Sequence, residues 1–147
     1  MNNFDSVERM YLDFGLSSSL VQGPILITDE AAVFRLNAML EELQELEEGY
    51  KEKDLPKIAD SLVDLVVFAL GTATLHNLPW EDLFAEVMRA NTNKIPQFTD
   101  KKKRNGIGSI DLIKPEDWRP PDIEGVLKKW GWVDLDAARL EDEINLR

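Results

Sequence analysis

Apolar residues recur at steps of three and four along most of the chain, which is the spacing of one face of an α-helix. Asp5, with Glu8 three residues later, predicts the capping box that begins a first short helix, and Gly15 predicts its end. The apolar stripe of this helix consists of Val7, Met10, Tyr11 and Phe14.

A second, longer helix follows a loop that contains the turn-forming pair Gly23-Pro24. Thr28 or Asp29 is the predicted N-cap, and Gly49 is the predicted stop. The repeat of apolar positions predicts that one stripe faces the core. That stripe consists of Val33, Leu36, Leu40 and Leu43.

The third predicted helix runs from about Leu55 to Leu75 and carries apolar residues on nearly every side, which is typical of a helix buried all round. A fourth helix is predicted to open at Asn77, with Pro79 near its first turn, and to close at Pro96. Its inner stripe consists of Leu83, Phe84, Val87 and Met88.

Beyond the fourth helix the pattern weakens into a basic loop, KKKRNG, and a proline-rich passage, KPEDWRPPD. A short helix capped by Gly131 follows, and the tail predicts at most one more helix of open role. We find no strand alternation long enough for a sheet and no internal repeat. The expected fold is therefore all-α: a four-helix core bundle with a C-terminal helical extension. We expect a single domain over residues 1–147, with its core at about 4–96 and the loop and extension at 97–147. The residues that carry the short helix are Ile123, Val126, Leu127 and Trp130.

The composition narrows the classes of function. Seventeen Lys and Arg against 28 Asp and Glu give a formal net charge of −11, which disfavours binding to nucleic acid or to an acidic membrane surface. The absence of cysteine excludes disulfides, thiolate metal sites and thiol nucleophiles. The first ten residues lack the pattern of an export signal, and the longest apolar run, Leu62 to Leu75, is interrupted by Asp64 and too short to span a bilayer. We therefore expect a cytoplasmic protein.

One carboxylate is conspicuous in the third helix. Asp64 is the only formally charged residue between Ser61 and Trp80, in the segment that the pattern predicts to be most buried. A buried, unpartnered carboxylate costs several kcal/mol, so Asp64 must be paired, protonated or bound to a cation. Asp60 lies one helical turn earlier, on the same side.

The second helix carries three further carboxylates within one turn, Glu41, Glu42 and Glu45. If they converge on the aspartates of the third helix, a divalent cation is needed between them, and a set of hard oxygen ligands favours Mg²⁺ or Mn²⁺. The alternatives are that the glutamates form a solvated face and that Asp64 is a buried structural hydrogen-bonding residue. We favour the metal site. A di-iron site is disfavoured because the only histidine, His76, lies near a helix end and has no acid at the required spacing.

Two polar residues extend the inner register of the fourth helix. Asn91 and Lys94 there suggest a pocket in which an amide contacts a base or sugar and an ammonium contacts a phosphate. The simpler alternative, which we slightly prefer on the residues alone, is that they only terminate the helix. The run Lys101 to Arg104 is by default a solvated loop, with a phosphate-facing lid as the alternative. Three tryptophans near the prolines, Trp118, Trp130 and Trp132, are most simply packing or oligomer contacts.

Four blocks together resemble the MazG-like all-α NTP pyrophosphatase superfamily, in the branch that includes phosphoribosyl-ATP pyrophosphohydrolase-like proteins. The resemblance runs from about Val7 to Leu127 and rests on the order and spacing of the blocks. It implies an oligomeric helical bundle that hydrolyses nucleoside triphosphates to monophosphate and pyrophosphate with Mg²⁺. The blocks are RLNAMLEELQEL, IADSLVDLVVFALGTA, FAEVMRANTNK and KPEDWRPPDI.

The resemblance also assigns residues. The metal-binding EExxE motif of the family corresponds to Glu41, Glu42 and Glu45, and the Asp of its ExxD motif corresponds to Asp64. The Glu of that motif falls at Ser61, so either the preceding Asp60 replaces it or the site holds fewer ions.

In a later motif of the family, the residues that contact the nucleotide correspond to Asn91 and Lys94 of this chain. Met88 stands where many relatives have His, which weakens the transfer of substrate choice but not of the metal site.

These observations give the hypothesis of a Mg²⁺-dependent (d)NTP pyrophosphohydrolase, with Mn²⁺ as a possible substitute ion. The metal offsets the triphosphate charge and activates a water, and our candidate to orient that water is Glu45. The expected assembly is a homodimer or homotetramer. The alternatives are a phosphoribosyl-ATP pyrophosphohydrolase and a non-catalytic helical interaction module. The predicted metal ligands are Glu41, Glu42, Glu45, Asp60 and Asp64.

Overall fold

Five α-helices and one two-stranded sheet make up the part of the chain that the computed structural model describes, residues 2–17, 22–98 and 110–133. The predominance of helix confirms the expected all-α class. The basic run at 101–104 and the predicted tail helix lie outside the described residues. The elements are α1 (Asn3–Asp13), α2 (Asp29–Glu52), α3 (Leu55–Leu75), α4 (Trp80–Thr92), β1 (Ile95–Phe98), β2 (Ile110–Ile113) and α5 (Ile123–Lys129).

Two compact units can be distinguished. Among the described residues, the first contains α1 to Leu78 together with 130–133, and the second lies within Pro79–Lys129. The first unit therefore contains the α2–α3 pair, and the second contains α4, the β-hairpin and α5.

Helix α1 begins three residues earlier than the pattern predicts. Its N-cap is Asn2, whose side chain accepts a hydrogen bond from the Asp5 N–H (2.8 Å), while the Asp5 carboxylate accepts one from the Asn2 N–H (3.1 Å). The prediction that Asp5 caps the helix is wrong because Asp5 is the returning partner of this capping box. Gly15, with φ of +68°, follows the end of the helix as predicted. On α3, a Cβ added at Gly71 would overlap the phenol ring of Tyr11, so α1 sits close to α3 there.

Helices α2 and α3 form an antiparallel helical hairpin with a connection of two residues. Thr28 caps α2 as predicted, but Gly49 does not end the helix, which continues to Glu52 and stops at Lys53 in the left-handed conformation (φ 56°). Gly49 is buried, and a Cβ there would lie 3.0 Å from the Ile58 side chain. The glycine thus allows close approach of the two helices rather than termination.

The apolar stripe predicted for the core side of α2 faces outward in this chain. The side chain buried on the other face is Arg35, with 7% exposure, and the buried Gly49 allows α2 to approach α3 closely. The prediction is wrong for the single chain because α2 has a second face that is less apolar but fits α3 more closely. The side chains left about half exposed are Val33, Leu36, Leu40 and Leu43.

Helix α3 has the predicted limits but is not buried all round. Leu62, Val63 and Val66 are 46–61% exposed. The apolar run from Leu62 to Leu75 is shorter than α3 as a whole. Over its full length α3 is long and apolar enough to cross a membrane by length and composition alone, with a mean hydropathy of 1.7 and 22% of the most apolar stretch buried. The core helix of an oligomer meets the same criterion, so this property alone does not assign α3 to a membrane.

In the second unit, α4 starts at Trp80 after Pro79 and ends at Thr92. Pro96, predicted to close this helix, instead lies in β1, which pairs with β2 in the antiparallel register Ile95↔Ile113 to Phe98↔Ile110. The sheet was not predicted because its strands, of four residues each, are too short to show alternation.

The inner stripe predicted for α4 is only partly correct. Leu83 is buried and Val87 is half-buried, whereas Phe84 and Met88 are exposed. Ala90, at the C-terminal end of the helix, is almost completely buried. Helix α5 follows the predicted position, and Gly131 after it has a φ of +88°.

Candidate active site

The predicted carboxylates of α2 and α3 influence one another electrostatically. The pKa of Glu42 is raised, first by desolvation and then by the negative charges of Asp64, Glu45, Asp60 and Glu41. Glu42 and Asp64 are half-buried, and the other three are exposed. Five acidic side chains from the two helices of the hairpin therefore lie close enough to repel one another. We call them the acidic cluster: Glu41, Glu42, Glu45, Asp60 and Asp64.

The donor chemistry of the acidic cluster fits a hard divalent cation. Carboxylate oxygens without His or Cys are the ligands that Mg²⁺ and Mn²⁺ prefer. Within the described residues, no three His, Asp or Glu side chains are arranged as they would be around a bound ion. Like charges at close range repel, so an opposing charge at this place would be favourable.

The Glu of the family's ExxD motif falls at Ser61 in this chain, and the neighbouring Asp60 is the candidate to replace it. The two residues differ sharply in solvent exposure. Ser61 is 1% exposed, and its hydroxyl has no hydrogen-bond partner among the described residues. Asp60 is exposed, and its charge reaches Glu42. Of these two neighbours, Asp60 is thus the one that contributes negative charge to the acidic cluster.

Arg35 is a candidate functional residue that the sequence interpretation missed. Its guanidinium donates to the Phe68 carbonyl (2.6 Å) and to the Thr72 hydroxyl (3.0 Å), and it faces the rings of Phe68 (4.9 Å to the centroid) and Tyr11 (5.6 Å). Among the described residues this buried cation has no carboxylate partner. The available signal was one basic residue inside the run AAVFRLNAML, which is otherwise without charge.

A cavity of about 450 Å³ lies beside Arg35. Its walls include Tyr11, Phe34 and Leu75, so they are mainly apolar and aromatic, with the guanidinium as a polar donor. Arg35 and Glu42 both lie on the side of α2 that faces α3. Because they are seven residues apart, Arg35 lies about 10 Å along the helix from Glu42, and the other α2 residues that line the cavity, Glu30, Ala31 and Phe34, lie farther from the acidic cluster.

Asn91 and Lys94 lie together in the second unit, at the end of α4. The Lys94 ammonium donates to the Asn91 side-chain oxygen (2.8 Å) and lies 6.0 Å from the centre of the Trp118 ring. The Trp118 indole N–H donates to the Ala90 carbonyl (2.7 Å), which fixes the half-buried ring at the end of α4. The assignment of Asn91 and Lys94 to nucleotide contact stays a prediction.

His76 has a structural position, as predicted. It is the C-cap of α3, and its Nδ1 atom lies 2.8 Å from the Ile25 carbonyl. This contact joins the end of α3 to the segment that leads into α2.

Comparison with known proteins gives one family match. The model of the family described as phosphoribosyl-ATP pyrophosphohydrolase (PRA-PH) matches residues 19–91. The matched span contains α2, α3 and nearly all of α4, and therefore the whole acidic cluster and Asn91, whereas Lys94 lies just beyond it. No curated protein matches the chain.

Proposed function

The chain belongs to the PRA-PH family, part of the MazG-like all-α NTP pyrophosphatase superfamily, and we propose that it is a Mg²⁺-dependent pyrophosphohydrolase of nucleoside triphosphates. The reaction converts a (d)NTP and water to a (d)NMP and pyrophosphate. The observation that carries the proposal is the acidic cluster, in which desolvation and then the charges of four neighbouring carboxylates raise the pKa of Glu42.

The residues that would hold metal ions are Glu41, Glu42, Glu45, Asp60 and Asp64. Mg²⁺ held there would neutralise part of the negative charge of the triphosphate and would lower the pKa of a coordinated water. Glu42 and Asp64 are half-buried and provide fixed anchor points on the two helices, while the exposed Glu45 has freedom to reach a water molecule. We therefore keep Glu45 as the group that orients the attacking water and takes up its proton.

The cavity beside Arg35 supports a nucleoside as part of the substrate. Its volume of about 450 Å³ lies in the range of small-ligand sites, and its aromatic walls suit a planar base. The guanidinium donors of Arg35 suit the carbonyl or ring-nitrogen acceptors that bases carry. Arg35, at the end of the cavity nearer the acidic cluster, lies about 10 Å along α2 from Glu42, so a base held against its guanidinium would extend its phosphates towards the carboxylates.

Asn91 and Lys94, which belong to the second unit, are the further residues that we propose to contact the nucleotide. Their hydrogen bond leaves the amide N–H₂ of Asn91 free to donate and the ammonium of Lys94 available for a phosphate oxygen.

Phosphoribosyl-ATP is the second candidate substrate, because the matching family is described by that activity. It contains the same triphosphate chemistry on a larger nucleoside. Turnover of a simple dNTP distinguishes the two candidates. The helical interaction module has no comparable support.

The test is incubation of the purified protein with the common NTPs and dNTPs, with Mg²⁺ and with chelator, followed by chromatography of the products. We expect metal-dependent formation of monophosphate and pyrophosphate. Diphosphate and orthophosphate as products would contradict the pyrophosphohydrolase assignment. Turnover of phosphoribosyl-ATP alone would select the second candidate.

Substitution of Asp64 by Asn connects the activity to the acidic cluster. We expect Asp64→Asn to lower kcat/KM by about a hundredfold or more, because a metal ligand is lost without a change of volume. Glu47→Gln is the matched control, since it removes one charge from α2 at an exposed residue that pairs with Lys51 (2.7 Å). Equal activity of both variants would disprove the role of Asp64.

A further inference from the structure

Two lysines occupy opposite positions at the open end of the β-hairpin. Lys94 immediately precedes β1, and Lys114 immediately follows β2. The register Ile95↔Ile113 places them directly opposite one another when it is extended by one residue. Like charges at directly opposite positions of an antiparallel pair are destabilising, so this arrangement calls for a source of stabilisation.

Trp118 provides part of that stabilisation. The Lys114 ammonium lies 4.2 Å from the centre of the indole ring, and the Lys94 ammonium lies 6.0 Å from it. The ring itself is held by the hydrogen bond from its N–H to the Ala90 carbonyl at the end of α4. A cation over an indole face is attracted by the negative charge of the ring's π face. The two ammonium groups are therefore kept near one anchored ring.

Neither lysine forms an ion pair with a carboxylate in the part of the chain that the structure describes. Lys94 contacts the Asn91 amide and Trp118, and Lys114 contacts Trp118. In a chain of net charge −11, two neighbouring cations without an acidic partner are unusual, since carboxylates outnumber them overall. Other described lysines do pair with acids, namely Lys51, Lys57, Lys128 and Lys129.

We propose that Lys94 and Lys114 form a phosphate-binding clamp for the polyphosphate part of the substrate, with Trp118 as their common support. The proposal rests on the proposed function and adds Lys114 to the binding residues. Two ammonium groups suit a ligand with several anionic oxygens, and the free N–H₂ of Asn91 adds a third donor. A bound polyphosphate also removes the repulsion between the two lysines.

Isothermal titration calorimetry with inorganic pyrophosphate tests the clamp directly. The titration is done with chelator present, so that the acidic cluster contributes no metal-mediated binding. We expect Lys114→Gln to weaken pyrophosphate binding by about tenfold, because one charge-assisted hydrogen bond is lost. Lys114→Arg, which keeps the charge, should retain most of the affinity.

Lys129→Gln is the matched control. It removes one positive charge from the same unit, at an exposed lysine that pairs with Asp82 (3.0 Å). An equal loss of affinity in Lys114→Gln and Lys129→Gln would reduce the effect to general electrostatics and overturn the clamp. Failure of the unaltered protein to bind pyrophosphate would overturn it as well.

Steady-state kinetics separates the clamp from the proposed function. If the protein hydrolyses nucleotides and the clamp is correct, Lys114→Gln raises KM by about tenfold with little change in kcat. Hydrolysis with an unchanged KM in this variant would refute the clamp and leave the function intact. Pyrophosphate binding that depends on Lys114 in a protein without nucleotide turnover would refute the function and leave an anion site.

Discussion

Glu42 is the side chain on which the charge of the acidic cluster converges, and its raised pKa means that the folded protein disfavours its ionised form. We therefore expect Glu42→Gln to raise the melting temperature in chelator, because the substitution removes a charge repelled by four neighbours. Mg²⁺ should stabilise the unaltered protein by mass action, by about 2.7 kcal/mol at a hundred times its Kd, and stabilise the variant less.

Differential scanning calorimetry with and without Mg²⁺ checks this expectation. Glu47→Gln again serves as the control, since its carboxylate is exposed and paired with Lys51. The same Mg²⁺-induced shift in both variants would contradict the participation of Glu42 in metal binding.

Arg35 combines packing with a buried charge, and two substitutions separate these contributions. Arg35→Ala leaves a cavity between Tyr11 and Phe68, and we expect a loss of about 2–4 kcal/mol in the free energy of unfolding. Arg35→Met keeps much of the volume and removes the charge, so its cost should be smaller. Urea denaturation measures both. Equal losses for the two variants would show that the hydrogen bonds to Phe68 and Thr72, which both substitutions remove, dominate over the packing.

The proximity of the five carboxylates could be predicted from their residue type and spacing, and the raised pKa of Glu42 is consistent with it, whereas their role as metal ligands stays a prediction. The expectation that Asp64 lies in the most buried segment is wrong, because Asp64 is half-buried and α3 leaves several apolar side chains exposed. Arg35 was missed because basic residues on helices are usually solvated, and only the packing of α2 on α3 shows that this one is buried.

At the level of elements, Glu86 joins α4 to the segment that leads into α5. Its carboxylate accepts hydrogen bonds from the Arg89 guanidinium (2.9 and 2.7 Å) and from the Asp122 N–H (2.9 Å). These contacts lower the pKa of Glu86 from 4.5 to about 2, and the hydrogen bond from Arg89 has the largest effect. The ionised form is therefore the one that stabilises this connection.

The pH dependence of the connection follows from that shift. Because the folded-state pKa is the lower one, the contribution of Glu86 is complete above pH 4.5 and is lost as the pH falls towards 2. We expect Glu86→Gln to lower the stability of the α4–α5 region at pH 7 and to flatten its decline over this acid range. Hydrogen exchange of α4 amides measures the effect. Glu124→Gln, at a more exposed carboxylate paired with Lys128, should retain the decline of the unaltered protein.

Helix limits were predicted best where a strong cap and a long apolar run coincide. The limits of α3 agree with the prediction, because Asp54 caps the helix and the apolar residues continue to its end. The role of Gly49 could not be predicted, since a glycine reads as a stop unless the helix packed against it is known. The β-hairpin was missed for a similar reason: its pairing joins segments whose four residues carry no periodic signal.

For the whole molecule, the exposed apolar side chains of α2 and α3 favour assembly with further copies of the chain. A monomer that leaves so many leucines and valines in water forgoes about 25 cal/mol for each Å² that an interface could bury. We keep the proposal of a homodimer or homotetramer, which the apolar character of α3 first suggested. The domain prediction, one domain over residues 1–147, also stays a prediction.

Substitution of Val63 by Glu tests the assembly, because Val63 is 61% exposed on α3. We expect the unaltered protein to be oligomeric and Val63→Glu to shift it to a smaller species, since a carboxylate in an apolar interface costs several kcal/mol. Light scattering coupled to size-exclusion chromatography measures the mass. Gln22→Glu, with the same added charge at an exposed loop position, should leave the mass unchanged. A monomeric unaltered protein would contradict the proposal.

The two-residue connection between α2 and α3 has a consequence for the folding rate. Because the two arms of the acidic cluster are near neighbours in sequence, they meet as soon as this helical hairpin closes, with little loss of chain entropy. Local contacts of this kind form early in folding, so the repulsion among the carboxylates opposes an early step rather than a late one. A cation that relieves the repulsion would then accelerate refolding more than it slows unfolding.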